Sequence, residues 1–129
     1  MEKLPSDDVI YESVSELLVS RLPELSGPYR ELLEWWGDEK PGPHVVYEDV
    51  LCPYIDELLQ SEDKDALGRV FALIEQLSRS SDARVRDVVT ASICEHIASN
   101  EARLDLARSF MGKLTRARCD DVTEFRPKY

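Results

Sequence analysis

Apolar side chains recur along this chain at intervals of three and four residues, the spacing that places them on one face of an α-helix. Sustained alternation of apolar and polar residues, which is typical of strands, does not occur, and the chain has no Asn-Gly or Asp-Gly hairpin turn. The pattern therefore predicts an all-α protein. We expect a compact bundle of five or six helices.

Two helices are predicted before the first glycine- and proline-rich segment. Ser6 and the acids after it favour a helix start, and the first apolar stripe then continues to Pro23. A short second helix is expected with Pro28 in its first turn and Gly37 at its end.

The segment 37–44 divides the chain. Its Pro-Gly-Pro triplet excludes helix and predicts an ordered turn. Beyond it an apolar stripe continues to Leu58, interrupted by Pro53. Since proline lacks the backbone N–H and clashes with the preceding turn, we expect a bend near Cys52.

Three more helices are predicted in the second half, each with a local start signal. The first begins around Asp63, Asp82 caps the second, and Asn100 with Glu101 caps the third. We expect the single helical domain to span residues 1–115 and residues 116–129 to form a C-terminal tail. The inward positions expected in the first two of these helices are Leu67, Val70, Phe71, Ile74, Leu77, Val85, Val88, Val89, Ser92, Ile93, His96 and Ile97.

The pair of helices between about residues 63 and 98 has a recognisable pattern. A short polar turn joins them, and the second begins Ser-Asp-Ala-Arg-Val-Arg-Asp-Val-Val at 81–89. This resembles one HEAT-type unit, in which an Asp at the turn precedes a Val-Arg step. Residues 1–62 hold no second copy at a fixed period, so the resemblance implies a HEAT-like bundle rather than a regular solenoid.

Acidic residues outnumber basic ones by 26 to 16, and most of the excess lies in the first half. Residues 1–65 carry 17 acids and 5 bases, a balance of −12, whereas residues 66–129 carry 9 acids and 11 bases. An acidic surface repels nucleic acid and anionic lipid and attracts basic proteins. We therefore expect a basic protein partner and neither nucleic acid nor membrane, with solubility as the alternative role of the charge.

The chain shows no export or membrane signal. Its first residues contain neither a basic leader nor an apolar segment, and no apolar run approaches the roughly 20 residues of a membrane span. We expect a cytoplasmic protein. The three cysteines, Cys52, Cys94 and Cys119, have no Cys-x-x-Cys spacing and are expected to be reduced thiols.

The segment 35–49 combines two indoles, several acids and a rigid turn, which is the composition of a binding surface on a constrained loop. The alternative is that Trp36 belongs to the core, Trp35 is half-buried and the rest is a solvated turn. Asp49 and Asp56, seven residues apart, are expected to share a helix face and form an acidic row. The predicted partner-binding residues are Trp35, Asp38, Glu39, His44, Tyr47, Glu48, Asp49 and Asp56.

Signals for catalysis are weak. His44 and Cys52 lie eight residues apart across the bend and are a remote candidate base and nucleophile, with the paired carboxylates as another. Cys94 and His96 point in different directions on a helix, so they cannot share a metal, and His96 is expected to be a hydrogen-bonded core residue. No phosphate loop or hydrolase motif occurs. We expect no enzymatic activity, no metal and no cofactor.

In size and acidity the chain is similar to small bacterial helical proteins of the immunity type, which neutralise toxins. The resemblance implies that the acidic half masks a basic toxin domain, with Trp35 and Tyr47 as anchors. The alternative is a scaffold or regulatory HEAT-like domain that binds a partner through exposed Arg69, Arg84 and Arg86. The sequence does not give the oligomeric state.

Overall fold

The computed structural model of the protein describes residues 8–125. Within that range it contains seven helices and no strand, which confirms the all-α class and adds at least one helix to the expected five or six. They are α1, Val14–Arg21 after a 3-10 turn Tyr11–Ser13; α2, Ser26–Trp36 after a 3-10 turn Pro23–Leu25; α3, which joins Pro43–Val46, a π-helical segment Tyr47–Leu51 and Cys52–Ser61; α4, Lys64–Ser78; α5, which joins Ala83–Asp87, a π-helical segment Val88–Cys94 and Glu95–Ala98; α6, Glu101–Arg108; and α7, Lys113–Phe125.

Helix α4 contributes its apolar stripe to the core, and α3, α5 and α7 pack against this helix. Its predicted inward positions are all buried, as are those of α5 except His96, which is half-buried. Burying such side chains is the main favourable term of folding, roughly 25 cal/mol per Å² of apolar surface. None of the helices within residues 8–125 is both long and apolar enough to cross a membrane.

The local start signals of the second half are confirmed. The side chains of Asp63, Asp82 and Asn100 accept hydrogen bonds from the backbone N–H groups in the first turns of α4, α5 and α6. Gly37 ends α2 with φ of 68°, a conformation that glycine adopts at little cost.

The start of α1 is later than predicted. Ser6 lies outside the described residues, and the first helical turn begins at Tyr11, after an extended Ile10. Long-range hydrogen bonds hold this segment on the turn between α4 and α5, because the Ser80 hydroxyl donates to the Val9 carbonyl and the Tyr11 N–H donates to Asp82. These contacts fix the extended conformation in place of a longer helix.

The bend expected near Cys52 is a widened helical turn. The π-helical segment Tyr47–Leu51 ends two residues before Pro53, which occupies the first turn of the α-helical part that follows. A wider turn separates the proline ring from the carbonyl that it would meet in a regular α-helix. The chain therefore continues as one helix, α3, across the proline.

The expectation of a tail after residue 115 is wrong for residues 116–125. They belong to α7, whose Cys119 and Val122 are buried in the core. Helix α7 has few large apolar residues. Its first turn is held by hydrogen bonds to the side chain of Glu75 in α4. Residues 126–129 lie outside the described range.

Candidate functional site

The eight predicted partner-binding residues separate into three groups. Trp35, Asp38, Glu39 and Asp49 are exposed. Tyr47 is completely buried, and its hydroxyl donates to the carbonyl of Val14 at 2.8 Å. This corrects the expectation that Tyr47 is a partner anchor, because its aromatic ring is part of the core. The other three, His44, Glu48 and Asp56, are engaged in hydrogen bonds with α5, and Glu48 is exposed as well.

Trp35 is the most exposed large apolar side chain of the described residues, at 86% of its maximal accessible surface. It lies in the last turn of α2, while its neighbour Trp36 is half-buried. The half-buried Trp35 of the alternative interpretation is therefore not what the structure shows. The acids Asp38 and Glu39 follow immediately in the exposed turn after Gly37.

A cleft of about 310 Å³ lies between the start of α2 and the middle of α3. Three acids surround an apolar floor and a tyrosine. Its lining residues are Glu24, Leu25, Pro28, Asp49, Val50, Pro53, Tyr54 and Glu57.

Glu24 is the one acid of this cleft with well-defined partners. The Tyr54 hydroxyl donates to it at 2.6 Å and Arg69 at 3.0 Å. Partial burial opposes ionisation of Glu24, but these hydrogen bonds outweigh it and lower the pKa of the carboxyl group. Burial and the bond to Glu24 raise the pKa of Tyr54 to about 12. The cleft therefore holds an ionised carboxylate beside a neutral phenol at neutral pH.

Trp35 lies on the same face of α2 as Pro28, which lines the cleft. Pro28, Glu31 and Trp35 are spaced by three, four and seven residues, so they lie on one face of α2, with Trp35 about 10 Å beyond Pro28. We call this surface the acidic face and define it as Glu24, Glu31, Trp35, Asp49, Tyr54 and Glu57. Sequence reasoning missed Glu24, Glu31, Tyr54 and Glu57, although the i−4 relation of Glu31 to Trp35 was a usable signal.

Asp56 does not belong to the acidic face. Asp49 lines the cleft, whereas Asp56 lies on another side of α3 beside Arg103 of α6. The predicted acidic row of Asp49 and Asp56 is thus wrong, because the π-helical segment shifts the phase of the helix between them.

The side of α3 that faces α5 carries a row of polar residues four apart: His44, Glu48, Cys52 and Asp56. An i+4 row drifts by about 40° per step around a regular α-helix. The π-helical segment holds more residues per turn, which offsets this drift and keeps all four directed at α5. Together with Ser92 and His96 of α5 we call them the polar seam.

At one end of the polar seam the hydrogen bonds run in a defined direction. Ser92 donates its only hydroxyl proton to Glu48 at 3.0 Å. The contact of 2.9 Å between Ser92 Oγ and His44 Nδ1 therefore has His44 as its donor. Activation of a serine nucleophile needs the opposite direction, with the hydroxyl donating to the imidazole. The arrangement supports a structural role for His44.

Cys52 lies in the middle of the seam, where its Sγ contacts the Ser92 carbonyl oxygen at 3.7 Å. Burial, followed by the charges of Asp56 and Glu48, raises the pKa of the Cys52 thiol to about 12. At neutral pH the sulfur is the unreactive thiol, so the geometry does not favour a nucleophile at this position.

The other end of the seam joins three helices. His96 Nε2 contacts both carboxylate oxygens of Asp56 at 3.0 Å, and Arg103 of α6 approaches Asp56 at 3.1 Å. The predicted hydrogen bond of His96 is confirmed, but the residue is half-buried rather than in the core. Among residues 8–125 no three His, Cys, Asp or Glu side chains are grouped in a way that could hold a metal ion.

The arginines of the scaffold hypothesis are used inside the molecule. Arg84 pairs with Asp82 and Glu12, and its hydrogen bonds hold the pKa of Asp82 at about 2. Arg86 donates to the Ser80 carbonyl, and Arg69 pairs with Glu24. The HEAT-like Asp and Val-Arg pattern therefore builds the turn between α4 and α5.

Residues 15–126 match the model of one protein family, the Domain of unknown function (DUF7674). The chain belongs to this family. The match spans α1 to α7, so α7 is included in the family domain, as is the acidic face. No curated protein and no solved structure matches the chain.

Proposed function

We propose that the protein is a non-catalytic binding protein whose acidic face takes up a basic protein. The observation that carries this proposal is the exposure of Trp35, at 86%, on the face of α2 that also carries Pro28 of the cleft with its acids Glu24, Asp49 and Glu57. The proposed surface comprises the acidic face together with Asp38 and Glu39, while His44, Glu48 and Asp56 act in the polar seam and Tyr47 in the core.

An exposed indole contributes little to folding but much to association. Burying a large apolar side chain stabilises a complex by roughly 1.5–3 kcal/mol, and tryptophan is enriched among the residues that dominate binding energies. Trp35 is thus suited to act as the central anchor of an interface. The Gly37 turn holds it at the end of α2, next to Asp38 and Glu39.

The charges around Trp35 select for a cationic partner. Glu31, Asp49 and Glu57 are exposed acids on the acidic face, and the Tyr54 ring lies in the cleft between them. A lysine or arginine side chain of the partner would meet carboxylates and an aromatic ring in this cleft. Such complementarity speeds the encounter of the two proteins and makes it sensitive to salt.

The finer proposal is an immunity-type role in a bacterial cytoplasm. A nuclease-type toxin presents a basic surface to its nucleic-acid substrate, and the acidic face would cover that surface. The small size of the chain and the −12 balance of residues 1–65 support this interpretation. Inhibition would then follow from occlusion and would need no chemistry from the protein.

The test begins with capture from a lysate of the source organism at low salt and at about 0.5 M salt, where the screening length falls below about 5 Å. A captured basic protein is then purified and titrated with the wild type and with Trp35→Ala and Asp49→Lys variants. Asp105→Lys is the matched control, because Asp105 is an exposed acid on α6, outside the acidic face.

Loss of binding in both acidic-face variants, with the control unchanged, supports the proposal. Equal binding by all variants contradicts it. Inhibition of the captured protein's own activity by the wild type, and not by Trp35→Ala, distinguishes masking from simple association.

A further inference from the structure

Two of the three cysteines lie side by side in the core. Cys94 is in the π-helical segment of α5 and Cys119 is in α7, and their sulfur atoms are 2.6 Å apart. Both are free thiols and both are buried. The third cysteine, Cys52, instead contacts the Ser92 carbonyl oxygen in the polar seam.

We propose that Cys94 and Cys119 form a reversible disulfide that fastens α7 to α5 when the protein meets an oxidising small-molecule disulfide. A disulfide needs side chains that point at each other across a short gap, and the 2.6 Å between these two sulfur atoms meets that requirement. This inference is independent of the binding function proposed above.

The reaction is thiol–disulfide exchange with a compound such as oxidised glutathione. The thiolate of Cys119 attacks one sulfur of the compound, forms a mixed disulfide and releases one molecule of the reduced thiol. The thiolate of Cys94 then attacks the Cys119 sulfur and releases the second molecule. The protein loses two electrons and two protons, and the small disulfide gains them.

Access to the sulfurs requires a transient movement of α7. The hydrogen bond with Cys119 and burial raise the pKa of the Cys94 thiol, so the closed state reacts slowly. Helix α7 is held at its start by Glu75 and along its length by Arg118, which donates to the Ser78 carbonyl. Opening of these contacts exposes Cys119, and closing them again presents its mixed disulfide to Cys94.

The expected experiment treats the folded full chain with oxidised glutathione near pH 8. Acid quenching, alkylation of the remaining thiols in denaturant and mass spectrometry follow. We expect the oxidised product to carry one alkyl group, on Cys52, where the reduced protein carries three, and digestion to release a linked pair of peptides containing Cys94 and Cys119. The bond should raise the midpoint of thermal unfolding by about 10 °C, and a reductant should reverse the shift.

Two variants sharpen the test. Cys52→Ala should form the bond as the wild type does, whereas Cys94→Ala should stop at a mixed disulfide on Cys119. Glu75→Gln, which loosens α7, should speed the oxidation several-fold. The proposal is overturned if Cys94 and Cys119 of the wild type are still fully alkylated after treatment with oxidised glutathione. Glutathione adducts that accumulate without the linked peptide would also overturn it, as would an unchanged unfolding temperature of the linked protein.

Discussion

The carboxylate of Glu75, on α4, accepts hydrogen bonds from the backbone N–H and the hydroxyl of Thr115, 40 residues further along the chain, at 3.0 and 2.8 Å. It also accepts from the N–H of Leu114 at 2.9 Å. These are the free donors of the first turn of α7, which usually bond to a capping side chain of the same segment. Helix α7 is therefore capped by a residue of another helix.

The capping of α7 by Glu75 predicts a pH-dependent contribution to stability. Partial burial opposes ionisation of Glu75, but the donors of Thr115 and Leu114 outweigh it and lower its pKa below the ordinary 4.5. A carboxylate with a lowered pKa stabilises the fold at neutral pH, and the contribution is lost as the pH falls below 4.5 through the folded-state pKa.

Glu75→Gln should therefore lower the free energy of unfolding by about 1 kcal/mol at neutral pH. The difference from the wild type should shrink in acid. Urea denaturation of both proteins near pH 7 and near pH 3 measures it. A difference of the same size at both pH values would show that the charge of Glu75 is not responsible.

Gly112 makes room for this cap. A Cβ atom at Gly112 would overlap the carboxyl group of Glu75 and would displace the carboxylate from its donors. Gly112→Ala should lower the free energy of unfolding by about 1 kcal/mol in the wild type, and by much less in a Glu75→Ala background. The double-mutant cycle by urea denaturation checks this coupling. Additive effects of the two substitutions would contradict the coupling between Gly112 and Glu75.

Tyr47 and Trp35 should behave in opposite ways. Tyr47→Phe removes the buried hydrogen bond to the Val14 carbonyl and should destabilise the fold by about 1–2 kcal/mol. Trp35→Ala changes an exposed side chain and should alter stability by less than about 0.5 kcal/mol. Thermal unfolding of the two variants gives the comparison, and a large loss of stability in Trp35→Ala would place this residue in the folding core.

The acids of α3 also differ in their roles. Asp56→Lys places a cation beside Arg103 and removes the partner of His96. Because the site is partly exposed, we expect the free energy of unfolding to fall by about 1 kcal/mol. Asp49→Lys should leave stability nearly unchanged. Chemical denaturation at neutral pH distinguishes them, and equal effects would contradict the separation of the polar seam from the acidic face.

Local signals predicted much of this fold. The caps Asp63, Asp82 and Asn100 accept hydrogen bonds from backbone N–H groups within three residues. Each of them can therefore be recognised from the residues of its own segment. Helix α7 was missed because its cap comes from Glu75, and because few of its residues are strongly apolar. The delayed start of α1 likewise depends on hydrogen bonds to Ser80 and Asp82, about 70 residues away.

The candidate site was predicted in part for a related reason. The exposure of Trp35, Asp38 and Glu39 agrees with their place around a glycine turn, which is a local property. Which acids of α3 face outwards depends on the phase of the helix, and the π-helical segment Tyr47–Leu51 changes that phase. Sequence spacing that assumes a regular α-helix therefore grouped Asp49 with Asp56 and left the polar seam undetected.

The most direct test of the binding account is the affinity of Trp35→Ala for the purified basic partner, measured by calorimetric titration beside the Asp105→Lys control. The account predicts at least a tenfold weaker complex for Trp35→Ala, corresponding to about 1.4 kcal/mol or more. It also predicts unchanged thermal stability and wild-type affinity for the control. Wild-type affinity in Trp35→Ala would contradict the central claim that the acidic face is the binding surface.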